Sequence, residues 1–325
     1  MKKKWAVAAL LAALGQLCLA QTPTQWQLAT GYRAESFHTR NLSAFALDVE
    51  KVSQGALQIQ VRPNNELFKL AEIRQSVQDG RVQAGEVIMT GLVGEVPIAG
   101  ADTIPFVVQS YGDARRLWGL QRPLIEKHLA ERGLKVLYAV PWPPQGLFTG
   151  APVRSMTDLK GSRMRTYNLS TQRIAQMLGA SPVDVPMAEV NQALSEGRVD
   201  NMITSAVTGV ENKVWGRIGH YYPINAWFPK NLVFVNVKAF EALPIPVREA
   251  VTQAAARAEA RGWTMSETVA TESTRELAAQ GMKGERIAPA VEAELKRLGE
   301  KFSREWVQSV GHEANVIFVP YYFQR

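Results

Sequence analysis

The sequence predicts an α/β protein made of two lobes. Two observations support this prediction: strand-like and helix-like segments alternate along most of the chain, and the alternation restarts after a proline-rich stretch at 141–144. A third is a helical pattern from Pro246 to about Gly281, long enough to span both lobes, with Gly262 as a candidate bend. A single open sheet is the alternative architecture that these patterns leave open.

The first run of alternating segments begins with a strand and an amphipathic helix. In the helix, apolar residues recur at steps of three and four, and the second strand alternates apolar and polar residues before a Pro-Asn-Asn break. The predicted strands are 26–31, 57–61, 86–90 and 135–140, and the helical segments between them are 36–55, 66–80 and 110–133.

The second run follows the prolines, which force an extended segment and mark a lobe boundary. Its strands are 162–167 and 199–204, its helices are 170–179 and 188–197, and a later strand at 232–237 is of the kind that crosses between lobes. The sequence therefore predicts lobe I from 21–141 with about 231–265, and lobe II from 142–230 with about 266–325.

The N-terminal 20 residues have the pattern of a secretory signal peptide. Three lysines precede a short apolar stretch, and Ala20 is the small residue before a plausible cleavage point. The apolar stretch is too short for a membrane span. Lipidation at Cys18 is disfavoured, because Leu17 does not fit a lipoprotein signal. Cleavage after Ala20 predicts a periplasmic mature protein without cysteine, since Cys18 is the single cysteine of the chain.

Composition and motifs argue against several functions. The net charge is +7, from 37 Lys+Arg and 30 Asp+Glu. It falls to +4 without the three N-terminal lysines, because 34 Lys+Arg then remain. These charges form no basic run, so nucleic acid is not an expected partner. The four histidines lie far apart in the sequence, and no nucleophile elbow, phosphate-binding loop or dinucleotide motif is present. We therefore expect no enzyme activity, no metal and no cofactor.

Several ordered motifs resemble the solute-binding proteins of tripartite ATP-independent periplasmic (TRAP) transporters, dicarboxylate-binding-protein type. They cover the Asp-Leu-Lys-Gly turn and the strand that ends in Arg165, then Leu-Gly-Ala-Ser-Pro-Val at 178–183 and Glu-Val-Asn-Gln-Ala-Leu-Ser-Glu-Gly-Arg-Val-Asp at 189–200. Weaker matches begin near residue 26. The resemblance covers most of the chain to about residue 250.

This resemblance implies a two-lobed periplasmic binding protein fold, with hinge strands and a ligand buried between the lobes. It also implies that Arg165 forms a bidentate salt bridge with a ligand carboxylate, which suits the planar, permanently charged guanidinium. The alternative is that Arg165 pairs with an acidic side chain of the protein. Arg163 is expected on the solvated surface.

The chain departs from the family pattern at two places. Thr204 and Ser205 stand where the family commonly has Glu and Asn, and the stretch from Gln145 to Phe148 contains no second arginine. A second ligand carboxylate is therefore disfavoured. We expect aromatic surface instead, with Trp142, Phe148 and Trp227 as the preferred ligand-facing residues, although many such aromatic residues belong to protein cores.

Other candidate site residues follow strand ends, where ligands bind in open α/β sheets. Phe37 and His38 open the first helix, and Met89 ends the third strand. Asn168 follows the Arg165 strand and either donates to the carboxylate or caps the next helix. The candidate ligand-binding residues are therefore Arg165, Asn168, Gln145, Phe148, Trp142, Thr204, Ser205, Trp227, Phe37, His38 and Met89.

The function predicted from the sequence is a monomeric periplasmic binding protein that delivers a small monocarboxylate to a TRAP-type membrane permease. An aromatic or branched 2-oxo or 2-hydroxy acid is the expected ligand. The alternatives are a secreted α/β enzyme that acts on a small carboxylate, and a receptor for another transporter class or a sensor kinase.

Overall fold

The computed structural model describes residues 23–323 and contains two β-sheets. The predicted signal peptide lies outside the described residues. The strands are β1 (Thr24–Ala29), β2 (Leu57–Arg62), β3 (Ala84–Ile88), β4 (Leu134–Pro141), β5 (Gln145–Thr149), β6 (Arg163–Thr166), β7 (Ser181–Asp184), β8 (Asn201–Ser205), β9 (His220–Tyr222), β10 (Lys230–Asn236) and β11 (Lys283–Gly284).

The α-helices fill the segments between these strands and the C-terminal part of the chain. They are α1 (Phe37–Val52), α2 (Leu70–Gln78), α3 (Tyr111–Ala130), α4 (Leu169–Met177), α5 (Val190–Ser195), α6 (Ala206–Glu211), α7 (Val237–Glu241), α8 (Ile245–Ala279), α9 (Pro289–Val310) and α10 (His312–Phe323). None of the described helices has the length and apolar character that crossing a membrane requires.

The first sheet has the strand order β2-β1-β3-β10-β4 and the second β11-β9-β5-β8-β6-β7. We call the first sheet with its helices lobe I and the second lobe II. In lobe I, β1 is parallel to β2 and β3, whereas β10 is antiparallel to β3 and β4. In lobe II, β6 is parallel to β7 and β8. This arrangement agrees with the predicted α/β class and excludes the single open sheet.

The chain passes between the sheets by short connections and a long helix. One connection joins β4 to β5, and another joins β9 to β10. Helix α8 packs on α1 and β4 in lobe I and on α6 and β11 in lobe II, so it spans both lobes. Its Gly262 lies within one continuous helix rather than at an end. A Cβ at Gly262 would collide with Val140 of β4 and Asn41 of α1, so the glycine lets α8 approach both elements of lobe I closely.

The helix predicted over 66–80 begins later than expected, at Leu70. The preceding Asn64 and Asn65 have positive φ angles, and Asn65 Oδ1 accepts a hydrogen bond from the Leu70 N–H at 3.0 Å. These residues therefore form a turn that caps the first helical turn, because asparagine tolerates the left-handed region and competes for backbone donors.

The C-terminal helices lie against lobe I. Glu313 of α10 contacts His128 of α3 at 2.9 Å, and Arg116 of α3 stacks over the Tyr321 ring at 4.6 Å. The sequence placed 266–325 in lobe II. The division of the chain into lobes stays a prediction, and these contacts favour moving 312–323 to lobe I. Helix α9 also contacts lobe II, where its Glu305 pairs with Arg173 of α4 at 2.9 Å.

Candidate functional site

The candidate site lies where the two sheets meet. The carboxyl ends of β1 and β3 in lobe I approach those of β6 and β8 in lobe II. Asn168, just beyond β6, donates a hydrogen bond from Nδ2 to Thr90 Oγ1, just beyond β3, at 2.7 Å. The two edges are therefore in contact, and strand carboxyl ends are where open α/β sheets bind ligands.

Arg165 is a buried cation on the lobe II side of this interface. It is 4 % exposed, its Nε donates to the Val185 carbonyl at 3.0 Å, and its guanidinium lies 4.8 Å from the centre of the Tyr167 ring. Within residues 23–323, no carboxylate comes within 4.0 Å of it. Burial lowers the pKa of Arg165 to about 10, opposed by Tyr167 and Asp184. A buried charge without a counter-ion is costly, so the guanidinium is available to an anion.

Arg163 shows that the position along β6 decides the environment. It lies at the start of the strand, half-exposed, and its Nε donates to Asp200 Oδ2 at 2.9 Å. The pair holds the pKa of Asp200 below its usual range. Arg163 therefore has a carboxylate partner on the surface, whereas Arg165 has no carboxylate partner among the described residues.

The hinge segments place polar and aromatic groups beside Arg165. Gln145 at the start of β5 donates from Nε2 to the Pro143 carbonyl at 2.8 Å and accepts a long bond from the Tyr167 hydroxyl at 3.5 Å. Trp227 is buried near that hydroxyl, but its Nε1 makes no well-formed hydrogen bond to any described residue. Burial raises the pKa of Tyr167 to about 12 against the opposing charge of Arg165. The indole N–H of Trp227 is therefore a buried donor near Tyr167 that lacks a well-formed acceptor.

Lobe I contributes an aromatic wall. The Trp142 ring lies 4.3 Å from His38, 5.6 Å from Phe37 and 5.2 Å from Tyr32, measured between ring centres. The Trp142 indole and the Tyr32 hydroxyl both donate to Asn231 Oδ1, at 2.8 and 3.2 Å. Four rings are therefore held against one another, and those of Trp142 and Tyr32 are fixed by a shared acceptor.

A buried polar cluster lies beside this wall and shares His38 with it. Thr30 donates to Glu86 Oε2 at 2.7 Å, and His38 Nδ1 lies 3.5 Å from Glu86 Oε1. Burial raises the pKa of Glu86 to about 7, although the Thr30 hydrogen bond opposes the shift. Burial also lowers the pKa of His38 well below its ordinary value, so its imidazole is neutral.

Two candidate residues act as helix caps. Asn168 Oδ1 accepts from the Thr171 N–H at 2.9 Å, which caps α4, while its amide nitrogen reaches Thr90. Ser205 Oγ accepts from the Thr208 N–H at 3.4 Å and caps α6. Of the two roles considered for Asn168, the cap is the one that its contacts show.

Three further candidates are buried at or near the ends of strands. Thr204 pairs with Gly146 in the β5–β8 ladder, next to the residues that flank the interface. Met89 follows β3 and packs within a hydrophobic core cluster. Phe37 belongs to the core cluster that also contains Trp142.

Phe148 lies apart from the other candidates, contrary to the expectation that it faces a ligand. Its side chain is fully buried, its ring lies 4.6 Å from that of Tyr221, and it packs against Gly209 of α6. Because side chains alternate along β5, Phe148 and Gln145 point to opposite faces of the sheet. Phe148 is a core residue of lobe II, and we do not propose it as a ligand contact.

The structure adds three residues that the sequence did not single out: Tyr32, Glu86 and Asn231. Glu86 and Asn231 are polar residues inside otherwise buried core strands. A buried polar residue in an apolar strand is itself a signal, because such groups must find partners. Tyr32 follows a strand end, and nothing in its sequence context separates it from a core tyrosine.

The chain as a whole is similar to known solute receptors. Residues 29–309 match the family described as bacterial extracellular solute-binding protein, family 7. The chain therefore belongs to this family, as the motifs predict. The predicted α/β two-lobed fold is confirmed as well, since solved receptors of the TRAP class share it.

Two similar structures come from Bordetella pertussis, the extracytoplasmic solute receptors DctP6 and DctP7, both binding pyroglutamic acid. The first is 36 % identical with a TM-score of 0.91 over 93 % of this chain and 100 % of its own. The second is 37 % identical with a TM-score of 0.90 over 92 % of this chain and 99 % of its own. The 2,3-diketo-L-gulonate-binding periplasmic protein YiaO of Escherichia coli is 25 % identical, over 71 % of this chain and 72 % of its own. Members of the family are solute-binding receptors rather than enzymes.

Proposed function

We propose that this protein is a periplasmic receptor that binds one small cyclic monocarboxylate of the pyroglutamate type and delivers it to a TRAP-type permease. The buried, unpaired guanidinium of Arg165 is the observation that carries the proposal. A carboxylate is the anion whose two oxygens match the guanidinium fork, so its binding would neutralise the buried charge with two parallel hydrogen bonds.

The site favours a single carboxylate. Gln145 lies in the 145–148 stretch, which contains no second arginine, and its amide already contacts Pro143 and Tyr167. Thr204 and Ser205 add neutral groups. Arg165 is the cation that the described residues place at this site, so a dicarboxylate would leave its second charge desolvated and unpaired, which disfavours it.

The lobe I wall suits a compact ring. The rings of Tyr32, His38 and Trp142 provide flat apolar surface with a polar edge. A five-membered lactam is small, nearly planar and polar at its rim. The two similar receptors that bind pyroglutamic acid are more than one third identical to this chain, which supports the same class of ligand here. This is narrower than the aromatic or branched acid expected from the sequence.

Binding would be coupled to closure of the lobes. Arg165 belongs to lobe II and the aromatic wall to lobe I, so a ligand that contacts both stabilises the state in which they are together. Closure excludes water and strengthens the ion pair. The closed monomer is the form that a permease would recognise, and the N-terminal segment would direct it to the periplasm by a cleavable signal.

Isothermal titration calorimetry of the mature protein with L-pyroglutamate tests the proposal. We expect saturable binding that Arg165→Lys weakens at least about 100-fold, because lysine cannot form the paired bonds. Arg163→Lys is the matched control on the same strand and is expected to leave the dissociation constant unchanged. Equal affinity in wild type and Arg165→Lys would remove Arg165 from the site.

Ligand selectivity and ligand fate separate the alternatives. Binding of succinate in preference to pyroglutamate would overturn the single-carboxylate assignment. A preference for glucuronate, which is a sugar acid with one carboxylate, would keep that assignment and overturn the pyroglutamate type of ligand. Mass spectrometry of ligand after prolonged incubation with the protein is expected to show unchanged ligand. A converted product would instead support the secreted enzyme.

A further inference from the structure

Glu86 is a buried carboxylate in lobe I that the pairing of Arg165 with a ligand anion does not explain. It lies inside the core strand β3, whose other residues are Ala, Gly, Val and Ile. An ionisable group in such a strand is unfavourable unless hydrogen-bond donors surround it. The partners of its two oxygens therefore indicate what else the site must supply.

Only one of the two carboxylate oxygens has a well-formed partner. Thr30 donates to Oε2 at 2.7 Å. His38 Nδ1 lies 3.5 Å from Oε1, and neither ring nitrogen of His38 forms a hydrogen bond within the described part of the chain. The Asn231 side chain is close enough to lower the pKa of Glu86, but its Nδ2 makes no well-formed hydrogen bond to a described residue. The Glu86 side chain also keeps a small exposed area, 2 %, whereas that of His38 has none. Oε1 is thus an acceptor that still lacks a donor.

The unfilled oxygen lies beside the lobe I wall, because His38 contacts both Glu86 and Trp142. Tyr32 stacks beside His38 and packs against Trp142, and the charges of Glu86 and Arg165 act on its pKa in opposite directions. Tyr32 is therefore near both charged groups. The titratable groups that act together with Glu86 are His38, Tyr32 and Tyr138, all of them neutral. No described cation compensates Glu86 directly, and Thr30 is the donor that makes a well-formed hydrogen bond to it among the described residues.

We propose that Glu86 determines ligand specificity by accepting, at Oε1, a hydrogen bond from an N–H or O–H group of the ligand while Arg165 holds the carboxylate. This inference rests on the proposed function and narrows its ligand class to monocarboxylates that carry a hydrogen-bond donor. The lactam N–H of pyroglutamate is such a donor.

The physical basis is the asymmetry of buried hydrogen bonds. Above its pKa of about 7, Glu86 is ionised and can only accept, so the test is made at pH 8. A ligand with a donor then satisfies the carboxylate, and a ligand of the same shape without one leaves it unsatisfied. Sites that hydrogen-bond a ligand N–H or O–H reject the analogue that lacks this group much more strongly than hydrophobic pockets reject a missing methylene. Glu86 would therefore discriminate between ligands of equal size and charge.

The test compares L-pyroglutamate with 3-oxocyclopentane-1-carboxylate, in which a CH₂ replaces the N–H. In wild type, calorimetry is expected to show the analogue binding about 10- to 100-fold more weakly, as for loss of a hydrogen bond to a charged group. In Glu86→Leu the ratio of the two dissociation constants is expected to fall to about threefold or less. Glu66→Leu, an exposed position of lobe I, is the control and should keep the wild-type ratio.

The outcomes distinguish this inference from the proposed function. Equal binding of both compounds by wild type, or an unchanged ratio in Glu86→Leu, overturns the role of Glu86 and leaves the Arg165 site standing. Absence of binding of either compound overturns both. If circular dichroism shows that Glu86→Leu does not fold, Glu86→Gln replaces it. That neutral side chain is expected to reduce the ratio at least about threefold, because hydrogen bonds to charged groups are roughly twice as strong, and an unreduced ratio would again overturn the inference.

Discussion

Replacing Arg33 by alanine would remove a contact that holds the two lobes together without touching a ligand. Arg33 follows β1 in lobe I, and its Nη1 donates to the Glu211 carbonyl at the end of α6 in lobe II, at 2.6 Å. Weaker contacts reach Ala188 and Asn212 at 3.4 and 3.5 Å. All three acceptors belong to lobe II, so these contacts exist only when the lobes are together.

The size of the effect follows from the type and exposure of this hydrogen bond. A buried charge-assisted hydrogen bond contributes about 1.5–3 kcal/mol, and partial exposure of Arg33 reduces this to about 1 kcal/mol. If the lobes are mostly apart without ligand, this loss lowers the closed population and appears in full in the apparent affinity. We therefore expect the dissociation constant for the ligand to rise about fivefold in Arg33→Ala.

Calorimetry measures this change, and small-angle X-ray scattering of the free and ligand-saturated forms shows whether closure is affected. Arg74→Ala is the matched control, because Arg74 bonds to Gln78 and Glu95 within lobe I. Its dissociation constant should equal that of wild type. An unchanged constant in Arg33→Ala, or the same loss in Arg74→Ala, would refute the role of Arg33 in closure.

Three further predictions concern stability and the interface. Asn168→Ala should destabilise the protein by about 1 kcal/mol through loss of the α4 cap and also weaken ligand binding, whereas Thr90→Val should weaken binding alone; urea unfolding and calorimetry together separate the two effects. Phe148→Ala should lower the free energy of unfolding by about 3–5 kcal/mol while leaving ligand selectivity unchanged, and a shift in selectivity would return Phe148 to the site. The pKa of Glu86 is raised from 4.5 to about 7, so its contribution to stability is fully present below pH 4.5 and is lost as the pH rises through 7. Glu86→Gln should therefore reduce the loss of stability between pH 5 and pH 8 by about 3 kcal/mol at most, as measured by urea unfolding of the ligand-free protein at both values.

The parts of the structure that could be predicted are those that depend on local patterns. Alternating apolar residues located the strands of both sheets, and the motif around Arg165 placed it at a strand end. The start of α2 was wrong because Asn65 caps it from a turn that periodicity does not register. The contact of the C-terminal helices with α3 depends on distant pairs such as His128 and Glu313, which no local pattern reveals.

The same distinction applies to the site residues. Some could be predicted from their neighbours in the sequence, and others depend on contacts between distant parts of the chain. Arg165 is recognisable because its neighbours in the sequence form the β6 strand that carries it. The lobe I wall is assembled from Tyr32, Trp142 and Asn231, which are separated by up to 199 residues and joined by hydrogen bonds to one amide. The sequence placed Phe148 at the ligand because its alternating pattern within β5 does not show which face of the sheet is the core. The packing of its ring against Gly209 of α6 shows that its face is the core of lobe II.

This division also explains why the two lobes would make different contributions to recognition. In the proposed site, lobe II would supply the permanent charge through Arg165, which would attract any carboxylate and therefore discriminate little among them. Lobe I would supply shape through its rings and a directional acceptor through Glu86, both of which would require the correct ligand. A wrong carboxylate would satisfy Arg165 but leave Glu86 without a donor, so its differential affinity for the closed state would be small. Because a ligand shifts a conformational equilibrium only by that differential affinity, closure would then select for ligands that satisfy both lobes.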